Sequence, residues 1–292
     1  MQTTSHDPTL FIVATPIGNL DDLSERARRV LGQVDLILAE DTRRALKLLS
    51  AFGIPRKKII SYHDHSERAK AMPLVDKILN EGLQAALISD AGTPCIADPG
   101  YHLVMAAWEK NLRVCPVAGP SALTALASSA GLPSDRILFV GFLPAKAHAL
   151  AMEITSWRGL RASVVFFDSL RRLGKTLAAI NEVHPNAMVC IGRELTKLHE
   201  ELARMPVSQA QQWVSGHPVL KGEVVVMVDI GADITASEGP DREQILADLR
   251  LTAKRRFVAG ATLKDLLLEL ASTELSRTEL YKLLLEVKVD LS

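Results

Sequence analysis

Residues 89–100, Ser-Asp-Ala-Gly-Thr-Pro-Cys-Ile-Ala-Asp-Pro-Gly, carry two carboxylates, two hydroxyls, two glycines and two prolines within twelve positions. Glycine lets a backbone approach a ligand closely, and proline fixes φ beside it. The apolar run Ala85–Ile88 before it reads as a strand buried on both faces. The loop therefore leaves the carboxyl edge of a sheet, where open α/β folds place ligands. A tight strand-to-helix turn that holds nothing is the plainer alternative.

Three further clusters could do chemistry. Glu40-Asp41-Thr42-Arg43-Arg44 falls where another strand ends, and a guanidinium fork suits phosphate. Equally, Asp41 or Thr42 caps the next helix and both arginines are solvated. Arg193-Glu194-Leu195-Thr196-Lys197, with His199-Glu200-Glu201 behind it, brings together a base, a cation and a hydroxyl. A structural ion-pair net is its bland counterpart. His63-Asp64-His65 lacks further ligand spacing, so no metal is expected there.

Other chemistries are excluded by what is missing. The first loop, Ala14-Thr15-Pro16-Ile17-Gly18-Asn19, is not Gly-x-Gly-x-x-Gly, and the chain has no Walker A sequence. A small ligand held by peptide groups suits this edge better than a pyrophosphate. No Gly-x-Ser-x-Gly elbow supports nucleophilic hydrolysis.

Strands must alternate with helices to position these loops. Leu10–Ala14, Val34–Ala39, 85–88 and Arg113–Val117 read as strands, with helices around 23–31, 66–81, 102–110 and 122–130 between and after them. That alternation implies a mostly parallel sheet covered on both faces. Gly131-Leu132-Pro133-Ser134 breaks the pattern. A second alternation follows: strands at 137–142, 162–167, 187–191 and 224–230, helices at 146–157 and 170–183. Residues 231–240 have linker composition, and the rest is helical. Leu263, Leu266, Leu267 and Leu270 form one stripe, and Leu280, Leu283 and Leu284 another. Ser276 and Glu279 stand at capping-box spacing before the last helix, so the pair is either a helix-turn-helix or plain helical packing. The expected division is 1–131, 132–232 and 241–292.

The 292 residues are 48% hydrophobic, enough for more than one core. The 34 basic and 34 acidic side chains cancel, so any nucleic-acid contact needs a local patch. Aromatic residues make up only 4%, too few for a platform that stacks single strands. No apolar run nears the roughly 20 residues of a membrane span, and the first residues do not read as a signal peptide. Cys95, Cys115 and Cys190 are far apart and suit free thiols in the cytoplasm.

ATPIGNLDDLS at 14–24, AEDTRR at 39–44, SDAGTPCIADPGYHLV at 89–104, AGPSAL at 118–123, VGFLPAK at 140–146, RELTKLHEE at 193–201 and KGE at 221–223 stand in the order of one known family. Over about residues 10–230 the chain resembles the tetrapyrrole (corrin/porphyrin) methylases, and its tail is similar to the extension of a branch that acts on ribosomal RNA. The resemblance implies two α/β domains with a cleft between them, a small C-terminal helical extension, S-adenosylmethionine as donor, and a homodimer. It implies methylation of the ribose 2′-oxygen of a cytidine in the decoding region of 16S rRNA in the small ribosomal subunit. Carried over, donor contacts fall on Pro16, Asp90, Gly92, Thr93, Ile96, Ser121 and Ala122. Substrate contacts fall on Arg43, Arg172 and Arg193. Two departures stand out. Ala118 replaces the usual proline, and residues 167–172 replace a pattern similar to Phe-Tyr-Glu-Ser-Pro-His-Arg.

In-line transfer to a hydroxyl needs alignment and somewhere for the proton to go. Glu194 and Asp98 are the carboxylates expected to take it, with Lys197 and Arg43 steadying phosphate or developing charge. Lys254, Arg255, Arg256 and Arg277 on the tail are the expected RNA contacts, although acidic residues are interspersed. Two rivals remain: a methylase of the same fold acting on a small tetrapyrrole, and an rRNA-binding assembly module without turnover.

Overall fold

The computed structural model describes residues 7–217, 222–230, 242–258, 261–270 and 277–289. Two compact units result, Met1–Asp233 and Ile234–Ser292.

The first sheet takes up the first half of the larger unit. Its elements are β1 (Thr9–Val13), a single 3-10 turn at Leu20–Asp22, α1 (Glu25–Gln33), β2 (Leu36–Ala39), α2 (Thr42–Ala51), β3 (Lys58–Ser61) and α3 (Asp64–Asn80). β4 (Gln84–Ile88), α4 (Tyr101–Glu109), β5 (Arg113–Val117) and α5 (Ala122–Ser129) follow. The strands lie in the order β3-β2-β4-β1-β5, all parallel. Successive side chains of a strand face opposite ways, and the two cores follow that rule. Leu36, Leu38, Ala85 and Leu87 meet Val75, Ile78, Leu103 and Ala107 from α3 and α4. Ile37, Ala39, Ala86 and Ile88 meet Ala27, Leu31, Ala45 and Leu49 from α1 and α2. The loops after β1, β2, β4 and β5 therefore emerge together at one carboxyl edge.

The second sheet is built from β6 (Ile137–Phe142), α6 (Ala147–Ser156), β7 (Ser163–Ser169), α7 (Leu170–Val183), β8 (Met188–Arg193), β9 (Glu201–Pro206), α8 (Val207–Ser215) and β10 (Glu223–Asp229). Its order is β6-β7-β10-β8-β9. Only β6–β7 is parallel; β10 runs antiparallel to both β7 and β8, and β9 antiparallel to β8. The mostly parallel sheet expected of the first alternation is found there, and the second sheet is mixed. β7 and β8 keep the parallel sense of a β-α-β unit, but the later strand β10 is inserted between them. One face packs Val164, Phe166, Val189, Ile191, Val224 and Val226 against α6, α7 and α8, around the fully buried Trp157. The other face packs Val165, Cys190, Val225 and Met227 against Leu126 and Ala130 of the α5 segment. A helix that leaves the first sheet thus covers the second.

The smaller unit consists of α9 (Arg242–Val258), α10 (Leu263–Glu269) and α11 (Arg277–Val289). They close on Leu249, Ala253, Leu266, Leu280, Leu283 and Leu284, so both leucine stripes face inward. The linker at 231–240 and the capping Ser276 lie outside the described residues. Among the described residues no helix is long and apolar enough to cross a membrane.

Candidate active site

The loop after β4 is held against the loop after β1. Thr15 N–H donates to the Gly92 carbonyl at 2.8 Å, and Gly92 N–H donates to the Thr15 carbonyl at 3.0 Å. Gly92 reaches this pairing at φ +88°, a conformation that favours glycine. The Thr93 hydroxyl donates to the Pro120 carbonyl at 3.1 Å, which draws the β5 loop in. Cys95 at φ 69° and Ala97 at φ 61° are non-glycine residues in the left-handed region. Backbone strain of this kind is sustained only where surrounding structure fixes it, and it collects at functional sites.

α2 begins beside this loop. Asp41 caps it by accepting the Arg43 N–H at 2.8 Å. The Arg43 guanidinium also chelates Asp41, with contacts of 3.2 and 2.9 Å, and holds its carboxyl well below the usual carboxylate range. One Asp90 oxygen accepts the Asp41 N–H at 3.2 Å, and the other pairs with Arg44 at 3.2 Å. Asp90 therefore ties the β4 loop to the first turn of α2.

The loop after β8 closes in from the second sheet. Glu194 at φ 47° and Thr196 at φ 65° are again left-handed without being glycine. The Thr196 hydroxyl accepts the Asn19 N–H at 3.1 Å. A Cβ placed on Gly18 would lie 2.4 Å from Lys197 Cγ, 2.8 Å from Thr196 Oγ1 and 3.0 Å from the Leu195 carbonyl. Only glycine allows these two loops to come so close. Lys197 Nζ stands 3.1 Å from Glu194 and 3.3 Å from Glu223. The second Glu194 oxygen accepts the Glu223 N–H at 3.0 Å. Burial pushes the Glu194 carboxyl up, but that N–H and Lys197 outweigh it and leave the carboxyl lowered. Burial likewise works against the Lys197 charge, and the two carboxylates outweigh it, so its ammonium is raised.

These loops enclose a cleft of about 610 Å³, within the roughly 300–1,000 Å³ usual for small-molecule sites. Pro16, Ile17, Leu20, Leu48 and Ile88 give it apolar walls, and Asp41, Asp90, Arg44, Lys47, Lys197 and Glu223 give it charge.

Among the residues singled out from the sequence, Pro16, Asp41, Arg44, Asp90 and Lys197 line this cleft. Gly92, Thr93 and Ser121 lie beside it, on the joined β4 and β5 loops, Ala122 opens α5, and Ile96 is exposed. Glu194 sits behind Lys197, and Asp98 lies half-buried near the end of the β4 loop. Arg43 is turned out, its side chain 86% exposed and occupied by Asp41. Arg193 pairs with Glu201 at 3.4 Å. Arg172 pairs with buried Asp168 at 2.9 Å and donates to the Leu143 carbonyl at 2.8 Å. The altered 167–172 segment is thereby a packed anchor, with Thr176 Oγ1 donating to Asp168 at 2.7 Å. Lys254, Arg255 and Arg256 are exposed on the last two turns of α9; the Arg277 side chain lies outside the described residues. Arg44 was expected only as a member of the 40–44 cluster, with solvation as its alternative, and Lys47 was not expected at the site. The signal was available: a helix capped by Asp41 places 44, 45, 48 and 51 on one face, and that face lines the cleft. Among the described residues no group of three His, Cys, Asp or Glu could hold a metal.

Residues 9–211 match the model of the Tetrapyrrole (Corrin/Porphyrin) Methylases, and the chain belongs to that family. It is an S-adenosylmethionine-dependent methyltransferase. Among its relatives is a protein of Mesorhizobium japonicum named Ribosomal RNA small subunit methyltransferase I, 38% identical over 283 residues, covering 97% of this chain and 93% of that one. One of the same name from Vibrio cholerae is 42% identical over 236 residues, covering 80% and 81%. The fold is also that of uroporphyrin-III-C-methyltransferase from Thermus thermophilus (TM-score 0.53, 17% identity, 78% of this chain and 98% of that one). Cobalt precorrin-4 methyltransferase shares it as well (TM-score 0.55, 14% identity, 78% and 97%).

The donor set suits that methyl donor. Its adenosine calls for apolar walls with peptide partners, its sulfonium for nearby carboxylates, and its amino-acid end for both charges. Pro16, Ile17 and Ile88 would give it the apolar walls, Ser89–Ala91 the peptide partners, and Asp90 and Asp41 the carboxylates, with the cations Arg44, Lys47 and Lys197 in the same cleft.

Proposed function

We propose that this chain methylates the ribose 2′-oxygen of a cytidine in the decoding region of 16S rRNA, acting on the small ribosomal subunit in the cytoplasm. The observation that carries the reading is the cleft in which Pro16 and Asp90 from one sheet face Lys197 from the other. It is joined by the near full-length likeness to a relative whose name gives that class of substrate.

Bound at this cleft, S-adenosylmethionine would supply an electrophilic methyl group. The peptide groups of 90–96, with Pro16, Ser121 and Ala122, hold the donor. Arg44 and Lys47 take phosphates beside the target ribose, with Arg43 and Arg193 further out along the strand. Orientation of this kind can contribute several kcal/mol to lowering the barrier. Lys197 faces the oxygen, and its charge is fixed by Glu194 and Glu223. Glu194 is a weak base, because its carboxyl is lowered. Such a group does not strip an alcohol in advance; it accepts the proton once the oxygen has begun to bond and turned strongly acidic. Asp98 is the second carboxylate to which this proton could pass. Arg172 shapes the second sheet behind the site, and Lys254, Arg255, Arg256 and Arg277 add phosphate contacts from the helical unit.

We read 1–131 and 132–232 as two α/β domains of the larger unit, followed by the helical domain 241–292, and the assembly as a homodimer. Tyr101, Met105 and Trp108, exposed along one face of α4, support a surface that a second copy would cover. Light scattering tests the dimer.

The decisive experiment incubates the protein with labelled S-adenosylmethionine and unmethylated small subunits, then maps the product. Label on a cytidine 2′-oxygen is expected. No label on the rRNA, whether or not the subunit is bound, overturns the reading.

A further inference from the structure

Glu67 on α3 is 8% exposed, and it is the carboxyl group that secures the far end of the β4 loop. One of its oxygens accepts two backbone N–H groups, from Gly100 at 3.0 Å and from His102 at 2.8 Å. These groups open α4, where the first N–H donors of a helix have no partner within it. The local sequence offers no substitute. Gly100 is the N-cap of α4 and has no side chain to cap with. Its φ of +144° lies in the region that favours glycine, and a Cβ there would come within 2.4 Å of Cys95 Sγ and 2.8 Å of Leu87 Cδ2. The cap must therefore come from another element, and α3 provides it.

Glu67 is itself fixed. The hydroxyl of the fully buried Tyr62 donates to the Glu67 carbonyl at 3.2 Å. Tyr62 N–H continues the β2–β3 pairing by donating to the Ala39 carbonyl at 2.8 Å. A connected path thus runs from the carboxyl end of β2, through Tyr62 and Glu67, to Gly100. Five and three residues before Gly100 stand Cys95 and Ala97, both in the left-handed region. A strained run of this kind keeps its shape only when both ends are held. Thr93 to Pro120 and Gly92 to Thr15 hold one end, and Glu67 holds the other.

We propose that Glu67 is a positioning residue for methyl transfer: by clamping the start of α4 it sets the shape of the 90–96 backbone that grips the methyl donor. This rests on the reading of 90–96 as the donor site.

The test compares wild type with Glu67→Ala, Glu67→Gln and Glu67→Asp, using calorimetry with S-adenosylmethionine, separate KM values for donor and small subunit, and thermal unfolding. Glu67→Ala is expected to raise the donor Kd and KM about tenfold, the scale of a lost buried hydrogen-bond partner, and to leave the KM for the subunit unchanged. Glu67→Gln keeps an acceptor oxygen and should stay within about threefold of wild type, a fraction of that loss. Glu67→Asp, one methylene shorter, should follow Ala. If Glu67→Ala does not fold, the Gln and Asp variants decide alone: Gln retaining affinity while Asp loses it supports the role, and equal affinities overturn it. A lower melting temperature with unchanged donor Kd, or equal losses for donor and subunit, overturns it as well. Wild-type protein that takes up no donor overturns the underlying reading and this role together, whereas a wild type that binds no better than its variants overturns this role alone.

Discussion

The Asp90 carboxylate, on the loop after β4, and the Arg44 guanidinium, in the first turn of α2, stand 3.2 Å apart. The other Asp90 oxygen is taken by the Asp41 N–H, so the loop and the helix share one carboxylate. Arg44 keeps much of its donor fork free, its side chain being 66% exposed. It can hold the loop and a phosphate at once. Arg44→Met should raise the KM for the small subunit roughly tenfold and lower the salt dependence of binding by about one phosphate contact. Arg43→Met should do less, because that guanidinium is spent on Asp41 and faces away from the cleft. Filter binding at several salt concentrations separates the two, and equal effects would remove Arg44 from the substrate path.

Gly18 tests the closeness of the two loops. An added Cβ meets Lys197 Cγ, Thr196 Oγ1 and the Leu195 carbonyl, all within 3.0 Å. The lysine stem can bend away, but a backbone carbonyl and a threonine in left-handed backbone cannot readily do so. Gly18→Ala should therefore push the β8 loop, with Lys197 on it, away from the cleft. A loss of about 10²-fold in kcat/KM is expected from misalignment on the ångström scale. The melting temperature should fall only slightly, because Gly18 lies in a loop outside the cores. Full activity in this variant would show that the contact of the two loops is dispensable.

Much of this site could be read from the chain because its parts are local. The run 89–100 announces a strand end, a close backbone approach and a helix start within twelve residues. β5, β6 and α7 fall at the residues the apolar runs and helical spacing mark in the sequence. β9 was missed because its residues, Glu-Leu-Ala-Arg-Met-Pro, mix two charges among apolar groups without strict alternation and end in proline, an edge-strand composition. β3 was missed for a related reason: Lys58–Ser61 is a four-residue edge strand following a lysine- and arginine-bearing turn. The insertion of β10 between β7 and β8 depends on long-range pairing, which no window of sequence contains. Glu67 was illegible for the same reason, as it caps a helix 33 residues further along the chain. The boundary expected at 131/132 falls inside the larger compact unit, and α5 before it packs on the second sheet because Leu126 and Ala130 face Val165 and Met227.

The Lys197–Glu194 pair gives activity a definite pH window. The Glu194 carboxyl is lowered on folding, so its contribution is present above its unfolded value, about 4.3, and is lost as pH falls through the lower folded value. Lys197 is raised, so its contribution is complete below its unfolded value, about 10.4, and is lost as pH rises through the higher folded one. Between these limits both groups are charged, and kcat/KM should be flat apart from titration of the substrate. Glu194→Gln should lower kcat by about 10²-fold at neutral pH, the lower range for loss of a proton acceptor, and should abolish the acid limb. An acid limb that persists in this variant and vanishes in Asp98→Asn would transfer the role to Asp98.

Removal of residues 241–292 tests the division of labour between the two units. The larger unit has its own cores, so it should fold and bind S-adenosylmethionine unchanged. The smaller unit also has its own apolar centre, and Lys254, Arg255 and Arg256 project from it into solvent. If these three face phosphates, their loss lowers the slope of log affinity against log salt by about 2 to 3, at roughly 0.7–0.9 per contact. Affinity for the small subunit should then fall steeply at low salt and converge with the full chain at high salt. A triple substitution of the same residues by glutamine should reproduce most of the effect without removing the fold. Unchanged affinity in both would assign the helical unit to packing or to the dimer, and would leave the recognition of RNA to the cleft and its rim.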